Sequence, residues 1–373
     1  MINRFKSLLA KRKSGVGIEL APERINIVKL LKQGQGFKLA ALSSLPVPEG
    51  VFEDGQIVDR PALAQLIQQA LAESKIKAQR VATAVPGREA LIRLIPLPAE
   101  LNDRELREMV LKHEAGLYLP YPREEADVDY QKLGYFVDED GIEKVQVLLV
   151  ATRKEVTDTY IDTFQHAGLK VDVIEISSFA LLRTIREQLR SFGMQEAAVL
   201  VDIQFDSTEI AIIVDGVPQF SRTIPIGTYH LQNALLRSMN LPASRDTQML
   251  ESITLPASSG DEDDSDELIG VSPGNLAVMR VLTELADELR RSIDFYLSQS
   301  ENLDVVQIFL AGPGGGLTNL NEFFQQRLSL PTTQIDPVAA LSLEVDEEKI
   351  TPAQRPGLGT VLGLGLRGVW GDV

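Results

Sequence analysis

Residues 198–227 read AVLVDIQFDSTEIAIIVDGVPQFSRTIPIG, and their pattern decides the fold. An apolar run (Ala198 to Val201) ends in Asp202, a polar link crosses Gln204 to Ser207, and a β-branched run (Thr208 to Val214) reaches the turn Asp215, Gly216. A third run from Val217 to Ile224 leads into Gly227, and alternation around an Asp-Gly turn predicts a β-hairpin. Val16 to Leu45 has the same layout: a short strand ending in Glu19, polar residues from Pro22 to Arg24, a strand from Ile25 to Leu31, a Gly34-Gln35-Gly36 turn, and a third strand from Phe37. The two acids stand 183 positions apart, about half the chain, which points to two halves built on one plan. Two such tips facing one another form a cleft.

Composition narrows what the cleft can serve. The chain of 373 residues exceeds the roughly 250 to 300 at which a single core stops growing, so two lobes are expected. It has no cysteine and three scattered histidines (His113, His166, His230), which excludes disulfides and thiol chemistry and disfavours a histidine metal site. A net charge of −16 argues against nucleic acid as partner, because phosphate backbones are held by dense Lys and Arg. No window resembles a membrane span of about 18 apolar residues, nor the N-terminus a signal peptide, so a cytoplasmic location is expected.

Along the chain, Met1 to Lys13 is a basic amphipathic helix candidate, read either as a contact for anionic membrane or as a frayed leader. Pro61 to Glu73 has helical periodicity behind Asp59 and Pro61. From Val81 two short strands, a helix (Asp103 to Ala115), strands to Phe136 and over Val145 to Ala151, and a helix (Thr157 to Ala167) suggest an α+β module inserted into the first half. Its YLPYP segment is either a docking surface or a loop that packs its aromatics inward. Asp261 to Glu267 holds six acids in seven residues and reads as a solvated, disordered insertion; the spacing of a calcium loop is absent. A long amphipathic helix spans Asn275 to Ser300. Val305 to Leu310 then enters Gly312-Pro313-Gly314-Gly315-Gly316, followed by a helix near Thr318, an order that brings backbone N–H groups to a helix start and suits phosphate or ribose. Such loops also serve close packing alone. The tail, PGLGTVLGLGLRG, reads as a small-residue helix packed back on the first half.

These segments, in this order over nearly the whole chain, resemble the actin-like ATPase superfamily, and within it the type IV pilus assembly protein PilM family, relatives of the cell-division protein FtsA. The resemblance rests on VGIELAPERINIVKL, IRLIPLP, YLPYP, AGLKVDVIEISSFALLR, the stretch quoted first, RRSIDFY, GPGGGL and GLGLRG. It implies a bilobed α/β fold of duplicated ribonuclease H-like halves carrying an inserted α+β subdomain. Residues 1–82 and 166–195 would form the first lobe, closed by a helix at 356–369. Residues 83–165 would form the insert, and 196–345 the second lobe, with the acidic insertion at about 256–272.

The resemblance also implies a site. Glu19 and Asp202 fall where the family has its two phosphate-loop acids, Thr208 and Gly227 on the second hairpin, and Gly312, Gly314, Gly315 and Gly316 at the adenosine loop. ATP with Mg²⁺ is the implied ligand, the metal near Glu19, Asp202 and Glu175. Departures are visible: Leu20-Ala21-Pro22 replaces a glycine and a hydroxyl in the first loop, Gln204 replaces a glycine in the second, and Glu251 stands where the family's lysine is expected. They point to a chain that is not a competent ATPase. The implied partner is the cytoplasmic N-terminal peptide of the inner-membrane protein PilN, in a groove involving the insert, with further contacts to pilus inner-membrane and motor components. Arg93, Tyr118 and Tyr121 are nominated for it, and the protein would sit on the cytoplasmic face of the inner membrane. The competing functions are a sugar-kinase-type enzyme, an FtsA-like filament and the cytoplasmic arm of a type II secretion subunit.

Overall fold

The computed structural model describes residues 14–193, 195–256, 272–300 and 303–370. The expectations for Met1 to Lys13 and for Asp261 to Glu267 lie outside them. The first lobe starts with β1 (Ser14–Leu20), β2 (Arg24–Gln33) and β3 (Gly36–Pro46), an antiparallel meander whose register sets Glu19 opposite Asn26. After α1 (Arg60–Glu73), capped by the Asp59 carboxylate on the Ala62 amide, β4 (Arg80–Val85) adds parallel to β1.

The chain then leaves for a three-stranded sheet of β5 (Ala90–Pro98), β6 (Ala126–Val137) and β7 (Glu143–Arg153), in the order β5-β7-β6. Alternation buries Ile95, Leu97, Val145, Val147 and Leu149 against Leu106 and Val110. Those two leucine and valine positions belong to α2 (Asp103–Glu108) and the helical turns continuing it, started by a capping box between Asn102 and Glu105. Helical turns run on to Tyr118, past the expected end at Ala115, so the first tyrosine of YLPYP closes a helix rather than opening a loop.

Next, α3 (Lys154–His166) leads to β8 (Lys170–Ile176), which completes the first sheet in the order β8-β4-β1-β2-β3. Beyond α4 (Ser177–Thr184) the plan repeats: β9 (Glu196–Ile203), β10 (Thr208–Val214), β11 (Val217–Ile224), α5 (Thr228–Ser238), α6 (Pro273–Leu297), β12 (Asp304–Ala311), α7 (Leu320–Leu328) and β13 (Thr332–Gln334). The second sheet runs β13-β12-β9-β10-β11. Each sheet therefore holds its acid-ending strand at the centre, between an antiparallel and a parallel neighbour.

The period of two in β9 and β10 sorts their side chains into two cores. Val199, Val201, Ile210 and Ile212 pack under Leu231, Leu282 and Leu285 of α5 and α6. Ala198, Leu200, Ala211 and Ile213 pack on Leu181 of α4 and on Ile185 and Leu189 beyond it. With both faces covered, every residue of β10 is buried, as a continuous apolar run demands.

The last helix, α8 (Gly359–Trp370), lies on the first sheet against Val28 and Leu30, and its glycines decide how closely. A Cβ on Gly17 would sit 2.5 Å from the Gly365 amide and 2.7 Å from Leu364 Cβ, and one on Gly368 would sit 2.8 Å from Gly15 Cα. Helix and strand backbones thus touch, which only glycine permits. Among the described residues no helix is long and apolar enough to cross a membrane.

Candidate functional site

The two acid-bearing strand ends do face one another across the lobes. Glu19 is almost fully buried and accepts from Asn26 Nδ2 at 2.9 Å; burial first, then the nearby Asp202 and Glu23 carboxylates, push it up to about 8. Asp202 is 2% exposed and accepts from Gln204 Nε2 at 2.7 Å, and burial raises it to about 6. A third carboxylate, not nominated from the sequence, completes the cluster: Glu209 stands opposite Asp202 in the β9–β10 register. Burial and the Asp202 carboxylate push it to about 7, and Gly87, at the start of the insert, packs against it where no Cβ would fit. Asp202 Oδ2 and Glu209 Oε1 are buried without a hydrogen-bond partner. Among the described residues no group of three or more acidic or histidine side chains is spaced to hold a metal ion.

Protein groups fill the surroundings of these acids. The first amides of α5, those of Thr228 and Tyr229, donate at 2.9 Å to the carbonyls of Gln204 and Phe205, so this helix start is already satisfied. Gly227 donates its N–H to His230 Nδ1 at 3.1 Å, and its missing Cβ makes room for those same carbonyls. The Thr208 hydroxyl donates to the Ile226 carbonyl at 2.6 Å. Gly312, at φ +77°, lies against Asp202 Oδ1, where a Cβ would come within 2.5 Å, while Gly314 packs on Ile203 and Gly316 on Ala353. Gly315 packs over Leu310 and Pro356.

Two arginines join the lobes at this end. Arg88 pairs with Asp206, and Arg245 Nη2 donates to the Pro22 carbonyl at 2.8 Å while its guanidinium lies 5.1 Å from the Phe205 ring centre. The cavity beside Glu19, Gln204 and Glu209 is reduced to about 60 Å³. A second cavity, about 260 Å³, opens between Arg24 and Asn26 on one side and Gly314, Gly316, Glu251 and Lys349 on the other. It falls below the roughly 300 to 1,000 Å³ typical of ligand pockets. The residues present do not fit a Mg²⁺-triphosphate: the cavity beside Glu19 is too small for one, and Pro22 and Gln204 stand in its lining.

Nearly the whole chain matches known proteins. The family described as type IV pilus assembly protein PilM matches residues 17–369. The chain belongs to this PilM family. Its duplicated sheets agree with that membership, and the actin-like bilobed α/β fold expected from the sequence is the one observed. A solved PilM-PilN type IV pilus biogenesis complex is similar at TM-score 0.78 and 26% identity, over 96% of this chain and 99% of that one. Ethanolamine utilization protein EutJ from Carboxydothermus hydrogenoformans shares the fold at TM-score 0.54 and 17% identity, covering 95% of this chain and 89% of its own. MreB5 of Spiroplasma citri, a structure bound to ADP, matches at TM-score 0.49 and 12% identity, over 88% and 95% of the two chains.

In this PilM-family chain Glu175 is not beside the cleft acids. Both its oxygens accept from Arg183, at 2.8 and 2.7 Å, and Arg183 also donates to the Gly363 carbonyl at 3.0 Å of α8. A carboxylate held in such a fork is a tie between β8, α4 and α8, not a spare metal ligand. Glu175 instead borders a groove of about 500 Å³ between the insert and the first lobe, lined by Val128, Tyr130, Leu148, Val150 and Ile174. Its two walls include the outer strands of two different sheets, β6 and β8. None of Arg93, Tyr118 and Tyr121 lines it. Arg93 is exposed on β5, across the insert sheet from β6; Tyr118 is exposed; the Tyr121 ring lies 4.4 Å below the Arg153 guanidinium.

Proposed function

We propose that this chain is a cytoplasmic adaptor of a type IV pilus assembly machine that holds the N-terminal segment of the inner-membrane protein PilN in the groove between β6 and β8. The observation that carries this reading is the groove itself: the edge strands of two sheets border one cavity of mixed lining, apolar at Val128, Leu148, Val150 and Ile174 and polar at Asp129, Gln131 and Arg367. That geometry suits an extended peptide, whose main chain pairs with an edge while alternate side chains enter the groove. The family membership and the likeness to the PilM-PilN complex support the choice of peptide. On this reading residues 83–165 act as a docking module set on the first lobe. The peptide anchors the adaptor at the inner membrane, and other faces meet further inner-membrane and motor components.

The interlobe cleft, on the same reading, is structural. Its phosphate end is occupied by the chain's own side chains, so the lobes are held together without nucleotide and no hydrolysis is assigned. The test is calorimetric titration with a synthetic peptide of the PilN N-terminal segment. Wild type binds, and Ile174→Asp, which sets a charge on the groove wall, abolishes binding; because Ile174 also packs on the first-lobe core, a melting curve checks folding and Gln131→Trp, at an exposed position of the groove, gives a second block. Equal affinity in both variants would move the peptide elsewhere.

A further inference from the structure

The groove does not end at Ile174. Leu148, Phe179 and Arg183 line it and also line a second cavity, of about 560 Å³, on the side facing the second lobe. This compartment lies where three parts of the chain meet: Leu133 and Leu148 from the insert, α4 with the segment following it, and the β10–β11 turn at Asp215 to Pro218. Its chemistry differs from that of the groove. Arg183, Arg186 and Arg190 stand along one wall, and Leu182, Leu189 and Phe192 give it an apolar surface, against one acid, Asp215. In a chain of net charge −16 three arginines along one wall balance the nearby Glu175, Glu187 and Asp215, so this patch lacks the acidic excess of the chain as a whole.

The three are not equally engaged. Arg183 is neutralised by Glu175. Arg190 pairs at 2.8 Å with Glu187, three positions before it, and both side chains are exposed, a contact worth little in water. Arg186 is exposed and has no ion pair among the described residues. Two guanidinium groups are thus available beside aliphatic and aromatic surface, the arrangement that receives carboxylates flanked by apolar side chains.

We infer that this compartment receives an acidic, aliphatic stretch that continues from the segment docked in the groove, so that one partner chain contacts the insert, α4 and the second lobe together. The inference rests on the groove reading, because it is the shared Leu148, Phe179 and Arg183 that bring a docked chain to the arginines. Its consequence is that occupancy is sensed by both lobes and not by the insert alone.

The test uses the full-length protein and three synthetic peptides: the PilN N-terminal segment alone, and the same segment prolonged by Glu-Leu-Glu at one or the other end. One of the prolonged forms binds about three- to ten-fold more tightly than the short form, the gain expected of one or two partly exposed charge-assisted contacts. Arg186→Glu with Arg190→Glu removes that gain and leaves the short peptide's affinity unchanged. A Lys-Leu-Lys extension restores the gain in the doubly substituted protein. Both arginines are exposed, and an unchanged melting temperature verifies that the variant is folded. Equal affinity for short and prolonged peptides, or a gain that survives the double substitution, overturns this inference and leaves the groove intact. Failure of all three peptides to bind overturns both.

Discussion

Arg88 and Asp206 close the interlobe cleft at its acidic end: one guanidinium nitrogen, Nη1, lies 3.0 Å from each carboxylate oxygen of Asp206, across 118 positions of sequence. The other terminal nitrogen donates to the Gly55 carbonyl at 3.1 Å, so a single side chain ties the start of the insert, the first lobe and the second hairpin. Both side chains are less than a third exposed, which limits screening by water.

Removing this tie weakens the molecule. Arg88→Ala removes the guanidinium from Asp206, which keeps only the Ser207 hydroxyl, and from the Gly55 carbonyl, and lowers unfolding free energy by about 1–3 kcal/mol, the range for hydrogen bonds to charged groups. A double-mutant cycle with Asp206→Ala, read from urea unfolding, separates the pair from the rest; a coupling of zero would show that the lobes are held elsewhere.

The contact of α8 with β1 makes a second expectation. Gly17→Ala forces a methyl group into the backbone of Gly365, and overpacking of this kind costs about 1–3 kcal/mol. The same change at Gly36, where nothing lies within 4 Å of an added Cβ, is a control expected to leave the melting temperature nearly unchanged.

Stability also depends on pH with a definite sign. The native state raises Glu19 from its ordinary 4.5 to about 8 and Glu209 from 4.5 to about 7. Between these limits the folded chain binds more protons than the unfolded one, so stability is highest below about 4.5 as far as these two groups are concerned. It falls as pH rises through the native values and levels off above about 8. Glu19→Gln, which keeps shape without a charge, flattens that fall and raises the melting temperature at pH 8.5 relative to wild type. A wild-type melting temperature that climbs from pH 5 to 8 with no effect of the substitution would contradict this.

Nucleotide gives a further discriminating measurement. A ligand at a hundred times its dissociation constant stabilises the folded state by about 2.7 kcal/mol, a shift easily seen in a melt. Millimolar Mg-ATP is expected to leave the wild-type curve in place. Gln204→Gly with Pro22→Ser, which clears the approach to Asp202, creates a shift that Asp202→Ala then removes. A wild-type shift lost in Asp202→Ala would mean that the cleft opens to admit phosphate.

What the sequence revealed was governed by local rules. The strand ending in an acid, its repeat 183 positions away and the Asp215-Gly216 turn depend on alternation and backbone preference, and both sheets follow from them. The terminal helix was legible because so many glycines in one helical stretch require close contact. Long-range side-chain pairing was not. Nothing near Arg88 announces Asp206, and Glu209 reads as one polar position in an apolar strand until the β9–β10 register places it opposite Asp202. Glu175 was placed at the metal by its position in the family pattern, yet the turn from β8 into α4 brings Arg183 onto both its oxygens. Arg93, Tyr118 and Tyr121 were chosen by residue type, whereas the groove is defined by which strands end up at sheet edges, a property of topology.

The open edges of β6 and β8 carry a hazard as well as a use. An uncovered strand edge is a template for pairing with any extended chain, including another copy of the same protein. Copies whose edges are left uncovered therefore have the means to pair with one another, and a chain seated along either edge would also be a guard against that self-association.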